Sequence, residues 1–211
     1  MIISHKNKFI FFACGKTGST SIENVLSKYH DGTSVINNIE NELARLRRTH
    51  SRPYNLKHVR PALLKKQFTN EEWKSYFKFS FVRNPWDWVL SNFFYNFPYL
   101  GQTLYRFKME HFDAIWYFLR IHNQCLYSDS YFQSDFVYDQ EGASLVDFVG
   151  RYETLQDDFN KVCQILKIEP ENLLRLNSSR HLPYKSIYTP ETIEAVKIRF
   201  SKDIDLLGYT Y

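Results

Sequence analysis

Cysteine is scarce in this 211-residue chain. Cys14, Cys125 and Cys163 make an odd set with no C-x-x-C pair. That argues against a disulfide scaffold or a cysteine-built zinc site and fits a reducing compartment. Glycine and proline number only seven each, too few for a collagenous or low-complexity chain. No run of about 20 apolar residues occurs, the length a membrane-spanning helix needs. The polar opening Ser4-His5-Lys6-Asn7-Lys8 leaves no room for a signal-peptide core. Excess charge is small, +4 from 27 Lys and Arg against 23 Asp and Glu. It suits anionic ligands, but with no arginine-rich stripe it does not point to nucleic acid. No aspartate cluster of the kind that holds magnesium is present, so no metal is expected.

Aromatic residues, by contrast, are abundant at 18%, with 18 Phe and 15 Tyr. They suit a large aromatic core, and equally a cleft that stacks planar and sugar rings. The apolar residues concentrate in a few places. Phe9-Ile10-Phe11-Phe12-Ala13-Cys14 is an unbroken β-prone run, as in a strand buried on both faces. It gives way to Gly15-Lys16-Thr17-Gly18-Ser19-Thr20-Ser21. From Ser19 the spacing turns helical, with Ile22, Val25, Leu26 and Tyr29 at i, i+3, i+4 and i+7. Strand, small-residue loop and helix start together cradle an anion, because free N–H groups and the helix dipole point at it. Gly15 and Gly18 permit close backbone approach. Lys16 adds a full charge, and Ser19, Thr20 and Ser21 add hydroxyl donors. The stretch is not the triphosphate loop G-x-x-x-x-G-K-[ST]: Gly15-Lys16-Thr17 matches its end, but Ile10 stands where the first glycine belongs. The bland alternative is a plain strand–helix turn with a surface lysine.

A second stretch repeats the design. Phe79-Ser80-Phe81-Val82 runs into Arg83-Asn84-Pro85-Trp86-Asp87-Trp88-Val89-Leu90-Ser91. Pro85 suits the first helical position. Arg83 falls at the carboxyl end of its strand, where open α/β sheets bind ligands. Its planar fork suits a second phosphate, and Ser91 follows about two helical turns on. Two such sites on neighbouring strands imply a ligand with two separated anionic ends.

The pair K-T-G-S-T-S and F-V-R-N-P-W-D-x-x-x-S resembles the PAPS-dependent sulfotransferases, specifically the Golgi-type and bacterial carbohydrate branch. The resemblance continues through Phe148 to Phe159, Leu176 to Ser179 and Asp203 to Tyr209, and so spans nearly the whole chain. It implies one sulfotransferase domain over residues 1–211, with a P-loop-like nucleotide-binding fold. It assigns Gly15, Lys16, Thr17, Gly18, Ser19, Thr20 and Ser21 to the 5′-phosphosulfate of 3′-phosphoadenosine 5′-phosphosulfate (PAPS). Arg83 and Ser91 take the 3′-phosphate. In the family the region of Asn177 to Tyr188 folds back over the nucleotide, which makes Arg180 and Lys185 further candidates at that end. One departure is Val89, where the family usually has a polar residue two places after the Asp of the motif. Golgi members carry an N-terminal anchor; this sequence shows none, so either a cytoplasmic, bacterial-type enzyme or a trimmed piece of a longer chain is expected.

Along the rest of the chain, the alternation of strands and helices implies an α/β fold whose parallel sheet is covered on both faces. The patterns predict helices over Ile36–Arg48, from Pro61, from Thr69, from Pro85 to about Asn96, over Glu110–His122 and over Leu155–Leu166. Thr49–Asn55 reads as a loop and Phe97–Lys108 as an irregular aromatic segment. Tyr131–Tyr138 reads as a strand or extended edge, and Leu145–Val149 as a central strand. Arg151 is either a ligand residue or, more simply, half of a structural ion pair. A final helix runs from Pro190 to about Leu207 and stops at Gly208.

The expected reaction moves a sulfuryl group from PAPS to an acceptor hydroxyl, with a glycan or glycolipid as acceptor and adenosine 3′,5′-bisphosphate as product. Catalysis would then be positioning plus charge stabilisation. Lys16 stabilises the leaving phosphate, helped by N–H groups of Gly18 to Ser21. His58 is the expected general base, because imidazole takes protons near neutral pH and this histidine precedes a short helix between the two motifs. The resemblance agrees, since related glycan enzymes use a histidine; other branches use a glutamate, which leaves Glu40, Glu42 and then His50 as alternatives. Two rival functions remain: a P-loop-like small-molecule kinase using Lys16 and Thr17 on ATP and magnesium, and a non-catalytic module that binds an anionic nucleotide or glycan.

Overall fold

The computed structural model describes residues 1–46, 56–96, 132–176 and 183–211. The chain forms two compact units, Met1–Val82 with Asp135–Leu176, and Arg83–Ser134 with Asn177–Tyr211.

The first unit is built on a four-stranded sheet. Its strands are β1 (Ile2–Ser4), β2 (Phe9–Phe12), β3 (Phe77–Val82) and β4 (Phe148–Arg151), in the order β1-β2-β3-β4. β1 pairs antiparallel with β2, and the other two pairings are parallel. Side chains alternate across the sheet. Phe9, Phe11, Phe79 and Phe81 pack against Ile22, Val25 and Leu26 of α1 (Ser19–Leu26). On the same face they meet Phe159, Val162 and Cys163 of the helix Leu155–Leu166. Phe12 points the other way, its ring 6.1 Å from that of Trp73. Helices thus cover both faces, which is why Phe9 to Phe12 run apolar without alternating. Gly150 of β4 sits opposite Phe81. A Cβ there would come within 2.3 Å of the Phe81 ring, so glycine makes room for it.

Local chemistry sets the helix ends. Thr69 and Glu72 form a capping box at the start of the helix Asn70–Ser75, worth about 1 kcal/mol. Pro61 opens the short helix Pro61–Leu64. The helix expected from Ile36 begins earlier, at Thr33, and runs to Leu46. In chain order the helices are α1, α2 (Thr33–Leu46), α3 (Pro61–Leu64), α4 (Asn70–Ser75), α5 (Pro85–Asn96), α6 (Leu155–Leu166), α7 (Pro190–Arg199) and α8 (Ser201–Leu207).

The second unit packs Trp86, Trp88, Val89, Leu90 and Phe93 of α5 against Ile187, Val196 and Phe200. Val89 is fully buried there, so the departure from the family pattern fills core.

Three expectations need correction. Where a strand or extended edge is expected over Tyr131–Tyr138, the described residues 132–138 hold a short 3₁₀ turn, Gln133–Phe136, and then a single antiparallel bridge from Tyr138 to Ser144, because the N–H groups of Gln133 and Ser134 are taken by the Asp203 carboxylate, at 2.9 and 2.8 Å, and not by a sheet neighbour. The strand expected over Leu145–Val149 is Phe148–Arg151, and it is last in the sheet order of the described residues, not central. Leu145 and Val146 are buried just ahead of it, where the Leu145 N–H donates to the Val137 carbonyl. The single helix from Pro190 breaks in two at Phe200 (φ −112°, ψ 27°), whose fully buried ring meets Trp88 edge-on at 5.6 Å. Gly208, at φ 65°, ends α8 as expected. The readings for Thr49–Asn55, Phe97–Lys108 and Glu110–His122 lie outside the described residues.

Candidate functional site

β2 delivers the chain to Ala13 and Cys14, residues 15–18 turn, and α1 begins at Ser19. The turn is tight. Thr17 is fully buried, and its Oγ1 donates to the Cys14 carbonyl at 2.8 Å. Lys16 adopts a left-handed backbone at φ 64° and Gly18 at φ 79°. A non-glycine residue there carries strain of about 1–2 kcal/mol, of the kind that binding sites store. Gly18 is the N-cap of α1 and brings no side-chain oxygen to the first N–H groups. A Ser or Asp at that position would take the Thr20 or Ser21 N–H; the Ser21 N–H already donates to the Gly18 carbonyl at 3.0 Å, and glycine leaves the Ser19 and Thr20 N–H groups, which have no carbonyl within the helix, for an anion. Ser19 and Ser21 are buried beneath, and Ser21 Oγ accepts from the Leu176 N–H at 3.5 Å.

The turn Leu56–His58 reaches this loop. His58 Nδ1 donates to the Ala13 carbonyl at 2.6 Å. Burial lowers the His58 pKa below its ordinary value, and the positive charges of the Met1 amino group and Lys57 push the same way; the Ala13 hydrogen bond and Glu23 oppose. The ring is therefore neutral at pH 7, with Nδ1 protonated and Nε2 basic.

No local motif marks Lys57, next to it. Its Nζ lies 2.8 Å from Glu23 Oε2 and donates to Thr20 Oγ1 at 3.1 Å, which brings a second cation to the start of α1. The Thr20–Glu23 spacing of three was visible and puts both on one helix face. Their meeting with Lys57 is a tertiary contact that no local pattern signals. Glu40, Glu42 and His50, the alternative bases, fall outside the residues whose side chains are described.

In the second unit Arg83 directly follows β3 and is almost fully buried. Its Nε and Nη2 both meet Asp87 Oδ2 at 2.7 Å, one helical turn on. Asp87 thus sets the plane of the guanidinium. Asn84 organises the turn: its Oδ1 accepts from the Trp86 N–H at 3.1 Å and its Nδ2 donates to the Thr210 carbonyl at 2.9 Å. Ser91 is buried on α5, two turns after Arg83. Lys185 is exposed on the turn Tyr184–Ser186, which packs against α5. Arg180 lies outside the described residues. Arg151 ends β4, and its N–H donates to Asp158 Oδ2 at 2.9 Å.

Among the described residues no group of three or more His, Cys, Asp or Glu gathers as a metal site, and no helix is long and apolar enough to cross a membrane. A family model described as "Sulfotransferase family" matches residues 1–210. No curated protein and no solved structure matches the chain.

Proposed function

This chain belongs to the sulfotransferase family, a premise from which we propose that it moves a sulfuryl group from PAPS to a hydroxyl of a carbohydrate acceptor, in the manner of the Golgi-type and bacterial carbohydrate branch. Sulfuryl transfer itself follows from the family. The donor, the acceptor class and the residue roles are the proposal, as is a cytoplasmic location. One observation carries it: a neutral histidine is tied, through Ala13, to the start of a glycine-capped anion loop.

The donor supplies the sulfuryl group on a phosphate that leaves with negative charge. Residues 15–21 bind its 5′ end, with the Ser19 and Thr20 N–H groups on the anion and Lys16 supplying the charge that matters most as the leaving oxygen becomes negative. Lys57 adds its cation through Thr20. Arg83, oriented by Asp87, grips the 3′-phosphate with Ser91, and Lys185 and Arg180 add charge at that end. His58 Nε2 takes the proton of the attacking hydroxyl. No metal enters this scheme.

Thermal shift with adenosine 3′,5′-bisphosphate, ATP plus magnesium, and sulfated glycans tests the reading, followed by a labelled-donor screen over glycan and glycolipid acceptors. Stabilisation by the bisphosphate together with transfer to a glycan is expected. Preferential stabilisation by ATP plus magnesium would overturn the reading in favour of a kinase, and bisphosphate binding without transfer to any acceptor would favour a binding module.

A further inference from the structure

The side chain of Gln133 forms two hydrogen bonds with the backbone of a single residue, Arg83. Its Oε1 accepts from the Arg83 N–H at 2.7 Å, and its Nε2 donates to the Arg83 carbonyl at 2.8 Å. Gln133 is fully buried. Arg83 stands one residue past the last ladder position of β3, where Val82 still pairs with Arg151. The amide therefore does for Arg83 what a neighbouring strand would do, satisfying both backbone groups where the described sheet ends. Gln133 is itself held: its own N–H and that of Ser134 donate to the two carboxylate oxygens of Asp203 on α8, also fully buried. Arg83, Gln133, Ser134 and Asp203 all lie in the second unit.

We infer that Gln133, anchored by Asp203, is a positioning residue for the 3′-phosphate, acting through the backbone of Arg83. The inference rests on the proposed role of Arg83. The two clamps on Arg83 are independent and complementary. Asp87 sets the guanidinium plane from the helix side, while Gln133 sets the Cα from which the side chain departs. A long side chain amplifies small backbone errors, and two-pronged anion recognition tolerates displacements well under 1 Å. The amide suits this task because it offers one acceptor and one donor on the same planar group. Glutamate would keep the acceptor, lose the donor and face the Arg83 carbonyl with negative charge.

The test is the preference for a 3′-phosphate, read as the ratio of the Kd for AMP to the Kd for adenosine 3′,5′-bisphosphate, measured by calorimetry on the full chain. Gln133→Met keeps the length and removes both hydrogen bonds. It is expected to lower the preference about 10-fold or more while the Kd for AMP stays within about twofold, given the strength of a misplaced charged hydrogen bond. Gln133→Glu, which keeps one bond, gives the same pattern and carries the test if the methionine variant does not fold. An unchanged preference in a folded variant overturns the inference, and so does an equal loss of affinity for both nucleotides, which marks a merely structural residue. Arg83→Ala is measured alongside. If it too leaves the preference unchanged, the role of Arg83 fails first; if it abolishes the preference while the Gln133 variants do not, only the inference fails.

Discussion

His58 Nδ1 and the Ala13 carbonyl are 2.6 Å apart, so a hydrogen bond ties the imidazole to the first residue after β2. The bond consumes the nitrogen that carries the proton and leaves Nε2 as the basic one. It also makes the loop's entry and the candidate base dependent on each other.

Replacing His58 with alanine should lower turnover by about 10²–10⁴, the usual contribution of a general base, with bisphosphate affinity retained. His58→Asn is the sharper variant, because its amide N–H reaches Ala13 as Nδ1 does while nothing basic remains. Steady-state kinetics against pH check it: the acidic limb of the kcat profile should vanish with the imidazole. Near-normal turnover in His58→Asn would move the base to Glu40, Glu42 or His50.

Stability should also report on His58. Burial lowers its folded pKa, so between the unfolded value of about 6.5 and the lower folded value the unfolded chain binds the extra proton. The stabilisation is then fully present above about pH 6.5 and is lost as pH falls through the folded value. Urea unfolding of the wild type at pH 7.5, 6.5 and 5.5 should show a decline that is shallower in His58→Asn. Equal declines would place the titration elsewhere.

Lys16→Ala is expected to reduce kcat more than it raises the donor KM, since its charge is needed most when the leaving oxygen becomes negative. The left-handed strain at φ 64° is not relieved by alanine, which also carries a Cβ, so the backbone of the turn should be no easier to hold. A variant with normal kcat and only a raised KM would make Lys16 a binding residue alone.

Arg83→Ala should weaken adenosine 3′,5′-bisphosphate binding by about 2–4 kcal/mol, the scale of losing a buried charge-assisted pair. Arg83→Lys should recover only part, because a single ammonium cannot both meet Asp87 and present a fork to phosphate. Calorimetric titration checks both, and an unchanged affinity in the folded alanine variant would place the 3′-phosphate elsewhere.

Gly18→Ala should lower both stability and bisphosphate affinity. Its φ of 79° disfavours any side chain by about 1–2 kcal/mol. An added Cβ would also lie 2.6 Å from Leu155 Cδ2. Pairing it with Leu155→Ala relieves the clash but not the backbone strain, so thermal melts of the double variant should show no full recovery. A Gly18→Ala protein with wild-type melting and binding would mean that the loop does not need its left-handed cap.

Much of this protein is determined locally. The run at Phe9 defines a strand because apolar residues on both faces demand cover from both sides, and the run at Phe79 because its phenylalanines recur at every second residue and so share one face. Pro61, Pro85 and Gly208 mark helix ends because φ is restricted in proline and free in glycine. Residues 15–21 read as an anion loop for the same reason, since a strand, small residues and a helix start are contiguous in the chain. The rest depended on groups that are distant in sequence. Residues 131–138 carry strand-like composition, yet two of their N–H groups are claimed by the Asp203 carboxylate, a stronger acceptor than a neutral carbonyl and one no local pattern announces. Phe200 breaks a helix that periodicity would continue, because its ring is buried against Trp88. Lys57 joins the loop only because Glu23 and Thr20 meet it in space. Local sequence decides backbone preference and which side chains avoid water; which buried polar group finds which partner is decided only when the whole chain is packed.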